Sequence, residues 1–156
     1  MIPFRSSCVC VFTFLLITGC GGSGADDASK ERLAQMAGGK LAEVVPVGGK
    51  VLVDGEAKAG VNLYLYSSDG SKLTGQSRTD SDGTYCWSTS LACDGIEAGS
   101  YRVAFRYIPK EKKNDSDEKA LDLFKSRYSN PMKVEYLLTV AAGTPQPAVN
   151  YELKVE

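Results

Sequence analysis

The stretch Tyr101-Arg-Val-Ala-Phe-Arg-Tyr107 alternates apolar and polar residues more clearly than any other part of the chain, and it decides the fold class. Its odd-numbered residues are aromatic or β-branched, and its even-numbered residues are arginine or alanine. Because successive side chains of a strand point to opposite faces of the sheet, this pattern predicts a strand with one buried face. Pro109 lacks the N–H that a ladder of backbone hydrogen bonds needs, so we expect the strand to end there.

Six further runs repeat the period-two pattern. The seven predicted strands cover residues 47–53, 61–66, 73–79, 85–89, 101–107, 134–140 and 149–155. Turn sequences such as Asp54-Gly55 and Ser68-Asp69-Gly70-Ser71 separate most of them. Many short strands joined by tight turns predict an all-β fold, an antiparallel seven-stranded β-sandwich.

Two segments have a helical pattern instead. Residues 29–37 place helix-forming residues between a capping serine and Gly38-Gly39, which predicts either a short helix or part of an irregular tether. Later in the chain Ser116 can cap a short inserted helix, with Asp117 and Glu118 in its first turn. The apolar residues that recur there at helical spacing are Ala120, Leu121, Phe124 and Tyr128.

The composition narrows the function classes. Eighteen basic and nineteen acidic residues give a net charge of -1, so nothing in the bulk charge points to nucleic acid or to an anionic membrane surface. The chain has no histidine, which removes the commonest general base and the commonest metal ligand. No residue spacing suggests a catalytic triad or a cofactor site, and we therefore predict a protein that is not an enzyme and binds no cofactor.

The N-terminus has the pattern of an export signal. Arg5 supplies a positive charge, residues 8–17 are apolar apart from Thr13, and Thr18-Gly19 places small residues before Cys20. The apolar run is too short for a membrane span, which needs about 20 residues.

The stretch Leu16-Ile17-Thr18-Gly19-Cys20 resembles the bacterial lipobox. The resemblance implies that the Cys20 thiol receives a diacylglyceryl group and that residues 1–19 are removed as a signal peptide. Residues 20–45 would then be a tether, either part helical or irregular, ahead of a domain at 46–156. The expected location is a bacterial membrane, on its periplasmic face or at the cell surface. An ordinary signal peptide with a coincidental Cys20 is the alternative.

Cys86 and Cys93 remain in the domain after the signal has been removed. In an oxidising envelope these two cysteines are a natural disulfide pair. Free thiols are one alternative, and a zinc site is a weaker one because two cysteines without a second pair of ligands make a poor site.

Several of the strand and turn sequences resemble the carboxypeptidase regulatory-like domain, a transthyretin-like sandwich. The matching stretches are Val47–Gly55, Gly60–Tyr66, Thr79–Tyr85, Ala98–Val103 and Tyr128–Val134. The resemblance implies a module for stability, adhesion or carbohydrate binding that has no catalytic residues of its own. The chain departs from the family at Glu56–Ala59, where a proline is frequent, and in having Cys86 and Cys93.

Two pairs of residues are candidate sites. Tyr64 and Tyr66 fall in the outward phase of their strand, where they form a contact patch unless Leu121 and Phe124 of the late helix cover them. Asp80 and Asp82 favour a plain turn, with a weak calcium site as the alternative, because an EF-hand loop would need acids at the positions of Arg78 and Thr89.

The function predicted from the sequence is a non-catalytic, lipid-anchored envelope protein with a structural or interaction role. A carbohydrate- or peptide-binding module of the envelope is the alternative. The expected partners are the membrane, through lipid on Cys20, and an unidentified envelope protein or glycan, but not nucleic acid.

Overall fold

Period-two alternation produces the main β-strands in the computed structural model, which describes residues 24–36, 38–39, 41–108 and 122–155. The elements are helix α1 (Gly24–Met36) and strands β1 (Val44–Val45), β2 (Gly48–Val53), β3 (Glu56–Ala57), β4 (Val61–Ser67), β5 (Leu73–Arg78), β6 (Thr84–Cys86), β7 (Ile96–Glu97), β8 (Gly99–Tyr107), β9 (Leu137–Val140) and β10 (Tyr151–Leu153). The predicted signal peptide and Cys20 lie outside the described residues.

The described strands form two four-stranded sheets and a small ribbon. The first sheet has the order β5-β4-β8-β9, and all its neighbours are antiparallel. In the second sheet β2 pairs with β6 and β3 in antiparallel register and with β10 in parallel register. Strands β1 and β7 form the ribbon. The fold is therefore all-β with mainly antiparallel pairing, as the alternation predicts.

The inward faces of the two sheets share one hydrophobic core. Leu63 and Phe105 of the first sheet are fully buried together with Val51 and Leu153 of the second. The Phe105 ring meets Tyr151 edge to face, with 5.0 Å between the centroids. Contacts of this kind join the sheets in a sandwich-like packing, and each buried side chain contributes about 1.5–3 kcal/mol of transfer free energy.

Gly49 allows the C-terminal segment to lie directly against β2. A β-carbon at Gly49 would overlap the backbone carbonyl of Val149, so only glycine permits this approach. The Val149 N–H donates to the Gly48 carbonyl at 2.9 Å, and the Lys50 N–H donates to Asn150 Oδ1 at 2.8 Å. These contacts lead the chain into the parallel pairing of β10 with β2.

The strand count differs from the prediction. Each of the seven predicted runs contains a strand, but the two-residue strands β1, β3 and β7 are additional, and eight strands make up the two sheets. The seven-stranded arrangement is therefore not confirmed. Two-residue strands are too short to produce a periodic pattern, and their pairing depends on distant partners.

The late helix is not formed where the chain is described. Residues 123–128 make successive turns, and the φ angles of Lys125 and Ser126 are 49° and 64°, which an α-helix does not allow. The Asp122 carboxylate accepts hydrogen bonds from the N–H groups of Phe124 and Ser126, which replace helical bonding. The remainder of the predicted helix lies outside the described residues.

The early helix is longer than predicted, since α1 covers Gly24–Met36. No helix in the described part of the chain is long and apolar enough to cross a membrane.

Two tyrosines of the core should make stability depend on pH in the alkaline range. Burial raises the pKa of Tyr151 to about 12, and burial also raises that of Tyr85. Because the folded state disfavours the ionised phenol, the stability that these buried tyrosines contribute is complete below pH 10. It is lost as the pH rises from 10 towards 12. Between pH 8 and pH 11, the free energy of unfolding measured in urea should fall by about 1 kcal/mol more for the parent chain than for Tyr151→Phe. Equal losses in the two proteins would contradict this assignment.

Candidate functional site

The outward face of the β5-β4-β8-β9 sheet is the candidate site. Leu63 and Leu65 of β4 point into the core, and Tyr64 and Tyr66 therefore lie on the opposite face, each about half-buried. We call this surface the tyrosine face. Its members are Asn62, Tyr64, Tyr66, Leu73, Gln76, Arg78, Arg102, Arg106 and Leu137, together with Ala104, which has the same phase but is fully buried.

The strand register arranges these residues in three rows across the sheet. The rows are Arg78–Asn62–Arg106, Gln76–Tyr64–Ala104 and Leu73–Tyr66–Arg102–Leu137. Directly opposed residues in antiparallel strands have β-carbons about 5 Å apart, so the members of a row can contact one ligand together. The first row is cationic and polar, and the third is mostly apolar.

The apolar end of the face includes well-exposed side chains. Leu73 and Leu137 are 40% and 67% exposed, although they are large and apolar. Arg102 lies between these two leucines in the third row, and its Nε donates to the Ser68 carbonyl at 2.8 Å while its Nη1 is 3.4 Å from the Pro131 carbonyl. Arg102 therefore joins two loops at the edge of the face.

Arg78 and Arg106 are exposed at the other end of the face. Neither guanidinium forms an ion pair with a carboxylate of the described residues. The four strands of this sheet contain three arginines, and they contain no aspartate, glutamate or lysine. The exposed cationic row is therefore free of opposite charge within its own sheet.

Phe124 does not cover the two tyrosines. It is 3% exposed and packs in the core, where its ring centroid is 5.8 Å from that of Tyr107 and 5.2 Å from that of Tyr128. Tyr107 has the same inward phase as Phe105. Phe124 therefore does not cover Tyr64 and Tyr66, and Leu121, the other residue of that alternative, lies outside the described residues.

Cys86 and Cys93 form the disulfide that the sequence predicts, with 5.3 Å between their α-carbons. The bond closes a loop that Asp94 also organises. Its carboxylate accepts hydrogen bonds from the N–H groups of Thr89, Ser90 and Leu91. Partial burial acts to raise the pKa of Asp94, but these backbone hydrogen bonds outweigh it and lower the pKa.

A groove of about 490 Å³ runs beside the disulfide. The glycines of β2 form part of it, and the remaining lining includes Pro46, Pro147, Ala148 and Lys50. It is on the second sheet and does not include the tyrosine face.

Asp80 and Asp82 make the contacts of a tight turn. Thr84 donates its N–H to Asp80 Oδ1 and to Asp82 Oδ1, at 3.1 Å each, and its hydroxyl lies 2.7 Å from both carboxylates. No three cysteine, aspartate or glutamate side chains come together as metal ligands among the described residues. The weak calcium site stays a prediction.

Sequence periodicity identified part of the face. It predicts that Tyr64, Tyr66, Arg102 and Arg106 point outward. It does not assign Arg78 to this face, because apolar and polar residues alternate only weakly in β5. Placing Arg78 requires the strand register, which pairs Asn62 with Arg78 on one side and with Arg106 on the other.

No protein-family model matches the chain, and neither does any curated protein. A 9R-lipoxygenase from Cyanothece is a structural neighbour with a TM-score of 0.33 and 14% sequence identity. The match covers 81% of this chain and 20% of the lipoxygenase, so this chain spans about a fifth of the length of that protein.

Removing the disulfide should destabilise the fold without changing it. The bond joins residues seven positions apart, and closing such a loop contributes about 2.5 kcal/mol in the chain-entropy model. We expect Cys86→Ala/Cys93→Ala to lower the free energy of unfolding by about that amount in urea titrations. A similar fall for the oxidised chain on adding reductant would agree, whereas a double variant as stable as the parent would contradict the role of the bond.

Proposed function

We propose that this chain is a non-catalytic, lipid-anchored protein of the bacterial cell envelope, and that its β-sandwich acts in interaction or in envelope structure. We also propose that residues 46–156 form a transthyretin-like domain of the carboxypeptidase regulatory-like family. The sequence stretches given above and the packing of two four-stranded sheets around one core support this assignment.

The proposed anchor is lipid on Cys20. The lipobox-like stretch ending at Cys20 supports it. One acyl chain gives only marginal membrane binding, whereas each buried methylene adds about 0.8 kcal/mol, so a lipid with two or three chains holds a protein stably.

The Cys86–Cys93 disulfide supports an exported location. Disulfides form and persist in oxidising compartments, of which the bacterial envelope is one, and they are rare in the reducing cytosol.

The observation that carries the interaction role is the tyrosine face. Two half-buried phenol rings lie side by side on one sheet face, between exposed leucines and exposed arginines. Tyrosine combines a large contact area with a hydroxyl that can hydrogen-bond, and both tyrosine and arginine are enriched at binding surfaces.

The alternative function is a carbohydrate- or peptide-binding module. The amide side chains of Asn62 and Gln76 beside Tyr64 favour a carbohydrate ligand, because amides and aromatic rings together can bind hydroxyl groups and the apolar faces of sugars.

The anchor predicts where the protein fractionates. In a bacterial host the full chain should be found with the membranes, and Cys20→Ser should be released into the soluble envelope fraction because no thioether can form. Cys86→Ser/Cys93→Ser is the control, since it removes the two disulfide-bonded cysteines, leaves Cys20 in place and should stay with the membranes. Membrane association of Cys20→Ser equal to that of the parent would contradict the proposed anchor.

The interaction role predicts that the tyrosines are needed for binding but not for folding. Tyr64→Ala/Tyr66→Ala should lose the envelope component that the parent captures from a solubilised envelope extract, while its circular dichroism spectrum remains that of the parent. Glu152→Ala is the control, since Glu152 is an exposed strand residue of the other sheet. Unchanged capture by the tyrosine variant would reject this face as the binding surface.

A further inference from the structure

We propose that the tyrosine face binds an acidic polysaccharide, with the carboxylates of uronate units at Arg78 and Arg106 and sugar rings against Tyr64 and Tyr66. This inference rests on the proposed interaction role of the same face, and it names the chemical class of the ligand.

Positive charge is concentrated on the tyrosine face. The chain as a whole has a net charge of -1, and the β5-β4-β8-β9 sheet contributes +3 from its three arginines, which leaves -4 for the rest of the chain. All three arginines have the outward phase, because Arg78 and Arg106 oppose Asn62 and Arg102 opposes Tyr66. A nearly neutral protein therefore has a cationic face on this sheet, which attracts anionic ligands locally.

The two exposed arginines have a spacing that suits an extended anionic polymer. Arg78 and Arg106 are on strands separated only by β4, so their backbones are about 10 Å apart, which is twice the distance between neighbouring strands. Guanidinium groups bind carboxylates through two parallel hydrogen bonds, which an ammonium group cannot do. Two such groups on one row can bind two carboxylates of an extended polymer.

Side chains that suit sugar hydroxyls and sugar rings lie between and beside the arginines. Asn62 separates them in the first row, and Gln76 and Tyr64 occupy the next row. Amide groups both donate and accept hydrogen bonds, as sugar hydroxyls require, and a phenol ring offers a flat apolar surface for the C–H face of a sugar. The first two rows thus carry side chains that can bind sugar hydroxyls and pack against sugar rings. The exposed leucines are confined to the third row.

The test measures binding of the full chain, purified in a non-ionic detergent, to polygalacturonate. Two matched polymers separate the contributions: the fully methyl-esterified polymer keeps the sugar rings but has no charge, and polyglutamate keeps the carboxylates but has no sugar. We expect binding to polygalacturonate that is at least tenfold tighter than binding to either control and that weakens as salt is raised.

Variants place the binding on the face. Arg78→Gln/Arg106→Gln should weaken binding to polygalacturonate at least tenfold, and Tyr64→Ala should weaken it severalfold while Tyr64→Phe keeps it. Arg32→Gln is the matched control, because Arg32 is an exposed arginine of α1 outside this sheet. Unchanged circular dichroism spectra and urea midpoints would show that all the variants fold.

Other results would overturn the inference. Equal binding of the methyl ester would make the ligand a neutral glycan, and equal binding of polyglutamate or of single-stranded DNA would make the face a general polyanion surface. No binding to polygalacturonate would also reject the acidic glycan. If the chain did not bind polygalacturonate but Tyr64→Ala/Tyr66→Ala still abolished capture from envelope extracts, only the ligand class would be wrong. If the tyrosine variant also left capture unchanged, the proposed interaction role of this face would be wrong as well.

Discussion

Burial of Leu63 and Leu65 against Val103 and Phe105 is the interaction on which both the core and the candidate site depend. All four side chains are 1% exposed or less, and they oppose one another in pairs across β4 and β8. Because strand side chains alternate, burying these residues places Tyr64 and Tyr66 on the other face of the sheet. A register slip of one residue would bury the tyrosines and expose the leucines, at a cost of several kcal/mol of lost apolar burial.

The second sheet supports this arrangement from the other side of the core. Strand β2 is its central element, since it pairs with β3, β6 and β10, and Val51 and Val53 are buried against the first sheet. The close approach of Val149 to Gly49 leads the last strand into this sheet, and the disulfide closes the loop that follows β6. The tyrosine face takes no part in the Val149–Gly49 approach or in the disulfide. Its residues can therefore vary in chemistry without loss of the fold.

Much of the fold could be predicted from alternation alone, because Leu63, Val103, Leu138 and Leu153 are buried where their phase requires it. Contacts between distant segments could not be predicted in this way. The approach of Val149 to Gly49 requires knowledge of which strands are neighbours, and the inward position of Phe124 depends on two left-handed residues that follow it. The candidate site could be predicted in part. Alternation predicts that Tyr64 points outward, but only the strand register shows that Arg78 lies beside Asn62.

The outward face of the β5-β4-β8-β9 sheet is the proposed ligand-binding surface of this protein. Amide chemical-shift mapping of the isotope-labelled chain, titrated with polygalacturonate, tests it most directly because every described strand reports at once. We expect the amide shifts that change to cluster at Asn62, Tyr64, Gln76, Arg78 and Arg106. Changes centred on Gly48, Cys86 and Ala148, which line the groove beside the disulfide, would contradict it.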